Sequence, residues 1–228
     1  MPKTQPARKR GRPRKEDLEN RDATKTLILR SALEHFSTQG FDATSTVSVA
    51  RQAGVAQSVL HYHFKSKDLL WQATIADLFK RINQRFPLAV EVSDDADVRV
   101  ELKKIIRRHM EASSQFPEMA RIVVIEGSFD TDRLNWLTES YFRGTFRHFD
   151  RVLDAARRQG LIGDAPDYLL TNMIYAASSV LFSVAPMIQT TYGVDIANPA
   201  QRELAVETGL DIILNGLMLK RPDTVPAI

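Results

Sequence analysis

The sequence predicts an all-α chain, and three observations carry that prediction. Apolar residues recur at spacings of three and four through most segments. Glycine and proline punctuate the intervals between them. No run alternates apolar and polar residues as a half-buried strand would. β-branched residues cluster only at Ile122-Val123-Val124-Ile125, a run too short to outweigh the helical pattern around it.

In chain order, a first helix is expected over 23–39, with Ile28, Ala32, Leu33 and Phe36 on one face and Gly40 as its stop. A short helix over 46–53 follows, with Ser45 as N-cap and Gly54 as terminator. A second short helix spans 57–63. After Phe64-Lys65-Ser66-Lys67 comes a longer one, 67–86, carrying Leu69, Leu70, Ala73, Ile75, Leu78, Phe79 and Ile82 and closed by Pro87. The stretch 87–97, with Asp94, Asp95 and Asp97, reads as a linker. Beyond it, helices are expected over 98–115, 117–127, 131–159, 166–190 and 200–219. They are separated by Pro117, Asp130, the Gly160–Gly163 stretch and a loop at 191–199. In the longest, Leu134, Leu137, Tyr141, Thr145, Phe149, Val152 and Ala156 form one apolar stripe along an unbroken helix.

Composition narrows the function classes. Hydrophobic residues make up 43% and charged residues 26% of the 228, which argues against whole-chain disorder. The absence of cysteine excludes disulfides, thiol catalysis, iron–sulfur clusters and cysteine-ligated zinc. His35 lies beside apolar neighbours on the first helix and reads as structural; His109 and His148 are isolated, so no metal site and no cofactor are expected. No nucleophile–base pair, phosphate-cradling glycine loop or carboxylate pair stands at a readable spacing, which argues against an enzyme. Residues 168–194 contain no charged side chain, long enough to raise the question of a membrane span. Thr171, Asn172, Ser178, Ser179, Ser183, Pro186 and Gln189 dilute that stretch, and a helix buried on most sides explains it better. A cytoplasmic protein without a membrane partner is expected.

The charge is unevenly placed. The net charge is +3, yet residues 1–15 hold seven basic side chains and no acid, so the other 213 residues sum to −4. A basic, proline-containing arm before a mildly acidic body points to an anionic polymer, nucleic acid or membrane surface. Within it, Arg10-Gly11-Arg12-Pro13-Arg14-Lys15 resembles the AT-hook peptides. In such peptides glycine lets the backbone approach the minor-groove floor and arginines enter its negative potential. That resemblance implies groove contacts for Arg10, Arg12 and Arg14; a solubilising tail is the alternative.

The two short helices around Gly54-Val55 match a helix-turn-helix, in which one helix braces while the next enters the major groove. Val49, Ala50, Ala53, Val55, Leu60 and Phe64 are placed to bury, leaving Gln57, Ser58, His61 and Tyr62 outward, in pairs four residues apart. Over 24–71 the sequence resembles the TetR family of transcriptional regulators. The resemblance is carried by Ile28-Leu29, Ala32-Leu33, Phe36, Gly40-Phe41, Thr44-Ser45, Val49-Ala50, Ala53-Gly54-Val55, Leu60-His61-Tyr62-His63-Phe64 and Lys65-Ser66-Lys67-Asp68-Leu69-Leu70. It implies a homodimeric, ligand-responsive repressor that reads a near-palindromic operator on double-stranded DNA and is released by a small organic effector. An activator or a ligand-independent regulator of the same fold is the alternative, and a helical enzyme or structural protein a more distant one. The implied organisation is a basic arm over 1–21, a DNA-binding head over 22–70, a ligand-binding and dimerisation domain over 71–220 and a tail over 221–228.

The resemblance also assigns roles. Gln57 is the candidate base reader, since an amide pairs bidentately with adenine. Ser58 and His61 stand beside it; Tyr62, His63 and Lys67 match backbone-contacting positions. Thr44, Ser45 and Thr46 lie where the leading end of the preceding helix meets phosphate, and Val47 at a position often filled by a polar base reader, where it offers only an apolar contact. His61 and His63 as plain surface histidines, and Ser45 as a cap only, are the alternatives. Ala56 stands where the family usually has a serine or threonine cap, and the recognition helix carries no arginine or lysine. In the C-terminal domain, Met110, Phe116, Met119, Trp136, Tyr141, Tyr175, Phe182 and Met187 are candidate ligand-lining residues, with Arg107, Arg121, Glu126 and Arg143 to orient a charged group. Core packing or surface charge is the alternative for each. The last two long helices, with Leu204, Leu210, Ile213, Leu214 and Leu217, are expected either to form a four-helix dimer interface or to complete the monomer core.

Overall fold

The computed structural model describes residues 15–87 and 97–218, with side chains from residue 20 onward. The described residues are helical almost throughout: α1 (Lys15–Ala43), α2 (Thr46–Gln52), α3 (Gln57–His63), α4 (Lys67–Arg85), α5 (Val98–Gln115), α6 (Pro117–Glu126), α7 (Asp132–Leu137), a π turn (Thr138–Phe142), α8 (Arg143–Arg158), α9 (Asp167–Ser183), α10 (Ala185–Tyr192) and α11 (Pro199–Leu217). A single antiparallel bridge, Ile162 with Met218, is the β-type pairing among the described residues. The all-α expectation holds. The chain divides into two compact units, Met1–Ile75 and Ala76–Ile228.

In the first unit, the α1 periodicity works as anticipated: Ile28, Leu29, Ala32, Leu33 and Phe36 are buried on one face. Gly40 takes φ 76 and ψ 174, so the helical path breaks there before the turn that ends at Ala43. That conformation suits a residue without Cβ. Opposite the α1 stripe lie Val49 and Ala50 of α2, Leu60 of α3, then Phe64, Leu70, Trp71 and Ile75. Ser31 Oγ donates to the Val49 carbonyl at 3.0 Å, pinning α1 to α2 with a buried polar bond. Gly54, at φ 69, turns the chain between α2 and α3. One boundary differs: α1 begins at Lys15, well before the expected 23. Its first turns are exposed from Asn20 to Ala23, so apolar spacing could not mark them, and no glycine or proline lies between Pro13 and Gly40 to stop the helix.

The second unit is built around α5, which packs on α9, α11 and α8, while α6 also packs on α9. Its core joins Val98, Leu102, Ile106 and Met110 of α5 to Phe149, Val152, Leu153 and Ala156 of α8, and to Ile174 and Phe182 of α9 and Val206 and Leu210 of α11. Arg107 of α5 pairs with both oxygens of Glu207 on α11, one contact at 2.7 Å. Arg157 ties the α8 terminus to Asp154 and Asp167, each at 2.6 Å.

Two long helices are not straight. The segment expected as one helix over 131–159 carries a π turn at Thr138–Phe142, which inserts a wider turn between α7 and α8. The segment expected over 166–190 breaks after Ser183, and α9 and α10 meet at 64°. Pro186 sits in the first turn of α10, where a missing N–H is harmless, but it could not continue α9. No single helix among the described residues is long and apolar enough to cross a membrane. Within one subunit this stretch is buried along one face. Thr171, Ile174, Ser178, Ser179 and Phe182 are buried, whereas Tyr168, Leu169, Met173, Ala176 and Ala177 form an exposed stripe on the opposite face.

Candidate functional site

Two surfaces have the chemistry of binding sites, one in each unit. In the first, α3 presents Gln57, Ser58, His61 and Tyr62 to solvent while Leu60 anchors it. Gln57 Nε2 lies 3.3 Å from His61 Nε2, so the amide donates to the ring nitrogen and the two side chains are held as a pair. Val47 at the start of α2 is 52% exposed. Ser45 Oγ accepts from the Val47 N–H at 3.2 Å, which caps α2; α3 has no side-chain cap at Ala56. Around this face stand cations that α3 itself lacks. Arg21 of α1 lies 5.3 Å over the Tyr62 ring, and Lys65 Nζ 5.8 Å from it. Arg21, Asp22, Lys25, Tyr62 and His63 line a polar depression of about 360 Å³. Burial, followed by Arg21 and Lys25, lowers the His63 pKa, which favours its neutral form near pH 7.

The second surface is a cavity of about 550 Å³ within the other unit, a size typical of sites for small organic ligands. α4 contributes Phe79, Ile82 and Asn83; α5 contributes Arg108, His109 and Ala112. The π turn and α8 supply the widest wall, from Ser140, Tyr141 and Phe142 to Arg147, His148 and Arg151, and Tyr175 of α9 closes the back. Phe79 stacks on Tyr141 at 4.1 Å and meets Phe142 edge-on at 5.7 Å. A chamber of about 60 Å³ adjoins, walled partly by His109, Phe146 and Tyr175. The His109 and Tyr175 rings lie 4.7 Å apart. His109 Nε2 and Tyr175 Oη are shielded from solvent and have no hydrogen-bond partner among the described residues. Burial, helped by Arg108, holds the His109 pKa down to about 4, and burial raises that of Tyr175; both are uncharged at neutral pH.

The helix-turn-helix carries the decisive comparison. Residues 28–74 match the family model described as "Bacterial regulatory proteins, tetR family". Over 195 residues the chain is 25% identical to the HTH-type transcriptional regulator RutR of Escherichia coli K12, covering 86% of this chain and 91% of that one. It is 26% identical over 198 residues to the HTH-type transcriptional regulator UidR of the same strain, covering 86% and 93%. The chain is thus similar to TetR-family regulators, with its helix-turn-helix carrying the family match. Among solved structures, the ketosteroid transcriptional regulator KstR2 of Mycobacterium tuberculosis shares the fold, with TM-score 0.65 and 18% identity over 86% of this chain and 95% of that one. Both curated relatives are HTH-type transcriptional regulators.

Within this TetR-type architecture, the sequence-expected site residues divide. Gln57, Ser58, His61, Tyr62, Ser45 and Val47 are exposed and clustered; Thr46 and His63 are half-buried beside them. Thr44 is a correction: it is 3% exposed, and its hydroxyl donates to the Gly40 carbonyl at 2.7 Å. It braces the turn and has no hydroxyl to offer a phosphate. Lys67 donates to the Asp42 carbonyl at 3.1 Å and lies 4.4 Å over the Phe41 ring, so its ammonium is partly engaged. Arg10, Arg12 and Arg14 lie outside the described residues. Arg21, Lys25 and Lys65 were missed; the four-residue spacing of Arg21 and Lys25 was the available signal.

Of the expected pocket residues, Met119, Tyr141 and Tyr175 line the cavity. The others do not. Met110 and Phe182 are buried in the core. Phe116 meets Phe86 edge-on at 6.5 Å and Arg81 at 5.6 Å. Arg121 Nε donates to the Ser183 carbonyl at 3.1 Å, buried Glu126 pairs with Arg133 at 3.2 Å, and Trp136 packs edge-on against Tyr141 at 5.6 Å. Met187 is exposed, Arg107 is held by Glu207 and Arg143 pairs with Glu139. The cavity's charge comes instead from Arg108, Arg147 and Arg151; His109 and His148, which look isolated in the sequence, stand on the same wall. For α11, Leu204 is exposed, Leu210 is monomer core, and Ile213, Leu214 and Leu217 are packed against that core.

Proposed function

We propose that the chain is a homodimeric repressor whose head, over 22–70, reads a near-palindromic operator and whose helical domain, over 71–220, binds a small effector that weakens DNA binding. The single observation that carries the reading is the exposed Gln57–His61 pair on α3, ringed by Arg21, Lys25 and Lys65. An amide held at a fixed position reads adenine in the major groove, and the surrounding cations meet phosphate without adding sequence preference. Ser58, Tyr62, Val47 and the α2 start at Ser45 and Thr46 complete the contact face. The basic residues 1–15, including Arg10, Arg12 and Arg14, add affinity and A·T preference from the minor groove.

The exposed α9 stripe of Tyr168, Leu169, Met173, Ala176 and Ala177, with Leu204 and Ile212 of α11, supports a second copy as the covering partner. Light scattering is expected to give a dimer, and Met173→Glu a monomer. For the head, the DNA upstream of the chain's own gene is the first operator to test by mobility shift. Deleting residues 2–15 is expected to flatten the salt dependence of that binding, since fewer counterions are then released. An unchanged slope would remove the arm from the account.

A further inference from the structure

Arg108, half-buried at the edge of the cavity, is the observation from which the ligand's chemistry follows. Its Nε donates to the Pro87 carbonyl at 3.1 Å, and Nη2 donates to the Phe86 carbonyl and, at 3.4 Å, to Asn83 Oδ1. All of these acceptors are neutral, and its Nη1 donors remain over. Burial alone lowers its pKa, with no carboxylate opposing the shift. Arg147 and Arg151 line the same cavity and donate to the Arg143 carbonyl and toward His148 Nδ1, each at 3.3 Å. Among the described residues none of the three forms an ion pair, and the one acid on the wall, Glu139, is held by Arg143. A desolvated guanidinium without a counter-charge is costly, and an anion bound there offsets that cost. A second set of groups is different in kind: His109 Nε2 and Tyr175 Oη are shielded and have no hydrogen-bond partner among the described residues, and their rings lie 4.7 Å apart.

We infer that the cavity takes an aromatic organic oxyanion whose charged group meets Arg108, Arg147 and Arg151. A second, uncharged hydrogen-bonding group of the same molecule reaches His109 and Tyr175. This rests on the reading above that the cavity is the effector site. The neutral imidazole accepts or donates one bond and the phenol donates one, so a hydroxyl or carbonyl on the ligand satisfies both. The stacked Phe79–Tyr141 pair and Phe142 form the aromatic wall against which the body of the molecule packs.

The test is a fluorescence titration of the full chain with 6-hydroxy-2-naphthoate, its carboxamide, 2-naphthoate and 2-naphthyl phosphate. The acids are expected to bind at least about tenfold more tightly than the amide, as a charge-assisted bond requires. Whether the carboxylate or the phosphate ester binds better identifies the oxyanion. The Arg147→Gln/Arg151→Gln pair, exposed and outside the core, is expected to shrink that preference with no change in Tm. Tyr175→Phe is expected to remove the advantage of the 6-hydroxyl while keeping the preference for acid. Equal binding of acid and amide, a preference unchanged in the double variant, or no binding by any probe overturns the inference. Operator binding measured alongside separates the two readings. If the amide releases DNA as well as the acid, the effector site stands and the oxyanion falls. If the acid binds selectively and DNA stays bound, the ligand class stands and the regulatory reading falls.

Discussion

The face of α3 and the cavity wall present polar groups in opposite states. Gln57, Ser58, His61 and Tyr62 are exposed to water, which DNA would replace under the proposed function. His109 Nε2 and Tyr175 Oη are buried and have no hydrogen-bond partner among the described residues. The first arrangement lets the head fold without regard to its target, with specificity residing in geometry. The second offers bonds that a ligand in the cavity can supply, so occupancy should stabilise the fold there.

The largest expected effect that tests this contrast lies in the pH dependence. His109 has a folded pKa of about 4 against 6.5 in the unfolded chain, so the unfolded state binds the extra proton across that window. Its contribution to stability is complete above pH 6.5 and is lost as pH falls toward 4, on the order of 3 kcal/mol. Urea denaturation from pH 7 to 4 measures this, and His109→Gln should flatten the curve. An equally steep curve in that variant would place the acid sensitivity elsewhere. Next in size, Gln57→Ala should reduce operator affinity by about 1–3 kcal/mol, read by anisotropy, with Tm unchanged. A drop in Tm would mean that the α3 face does structural work and that the contrast with the cavity is blurred. Smallest, Ala56→Ser should add the missing side-chain cap to α3 and raise stability by roughly 1 kcal/mol in a thermal melt. No gain would show that the N-terminus of α3 is already satisfied.

What was legible in the sequence follows the reach of each physical rule. Helix stripes, the Ser45 cap, the Gly54 turn and the outward set on α3 depend on residues within a few positions of one another, and local periodicity reports these. The cavity gathers side chains from α4, α5, the π turn, α8 and α9. Its wall holds histidines and arginines that have no partners in sequence, so counting aromatics and methionines selected core residues such as Met110 and Phe182 instead. Thr44 failed for a similar reason: a hydroxyl beside a helix start looks available until the Gly40 carbonyl claims it. The bend after Ser183 had a visible cause in Pro186, which the uncharged run around it obscured.

The π turn at Thr138–Phe142 had a trace as well, because Leu137, Tyr141, Thr145 and Phe149 step by four throughout, slower than an α-helix turns. Its consequence is local. Removing one residue from this turn would return the segment to ordinary α winding, and since five π residues turn roughly as far as four α residues, α7 and α8 would keep their phase. The core stripe of Phe149, Val152 and Ala156 would stay in place, while the wider turn that presents Tyr141 and Phe142 to the cavity would be lost. The specificity of the cavity is therefore encoded in chain length as well as in residue identity. A single-codon deletion here would re-aim the wall without altering one of the side chains that remain.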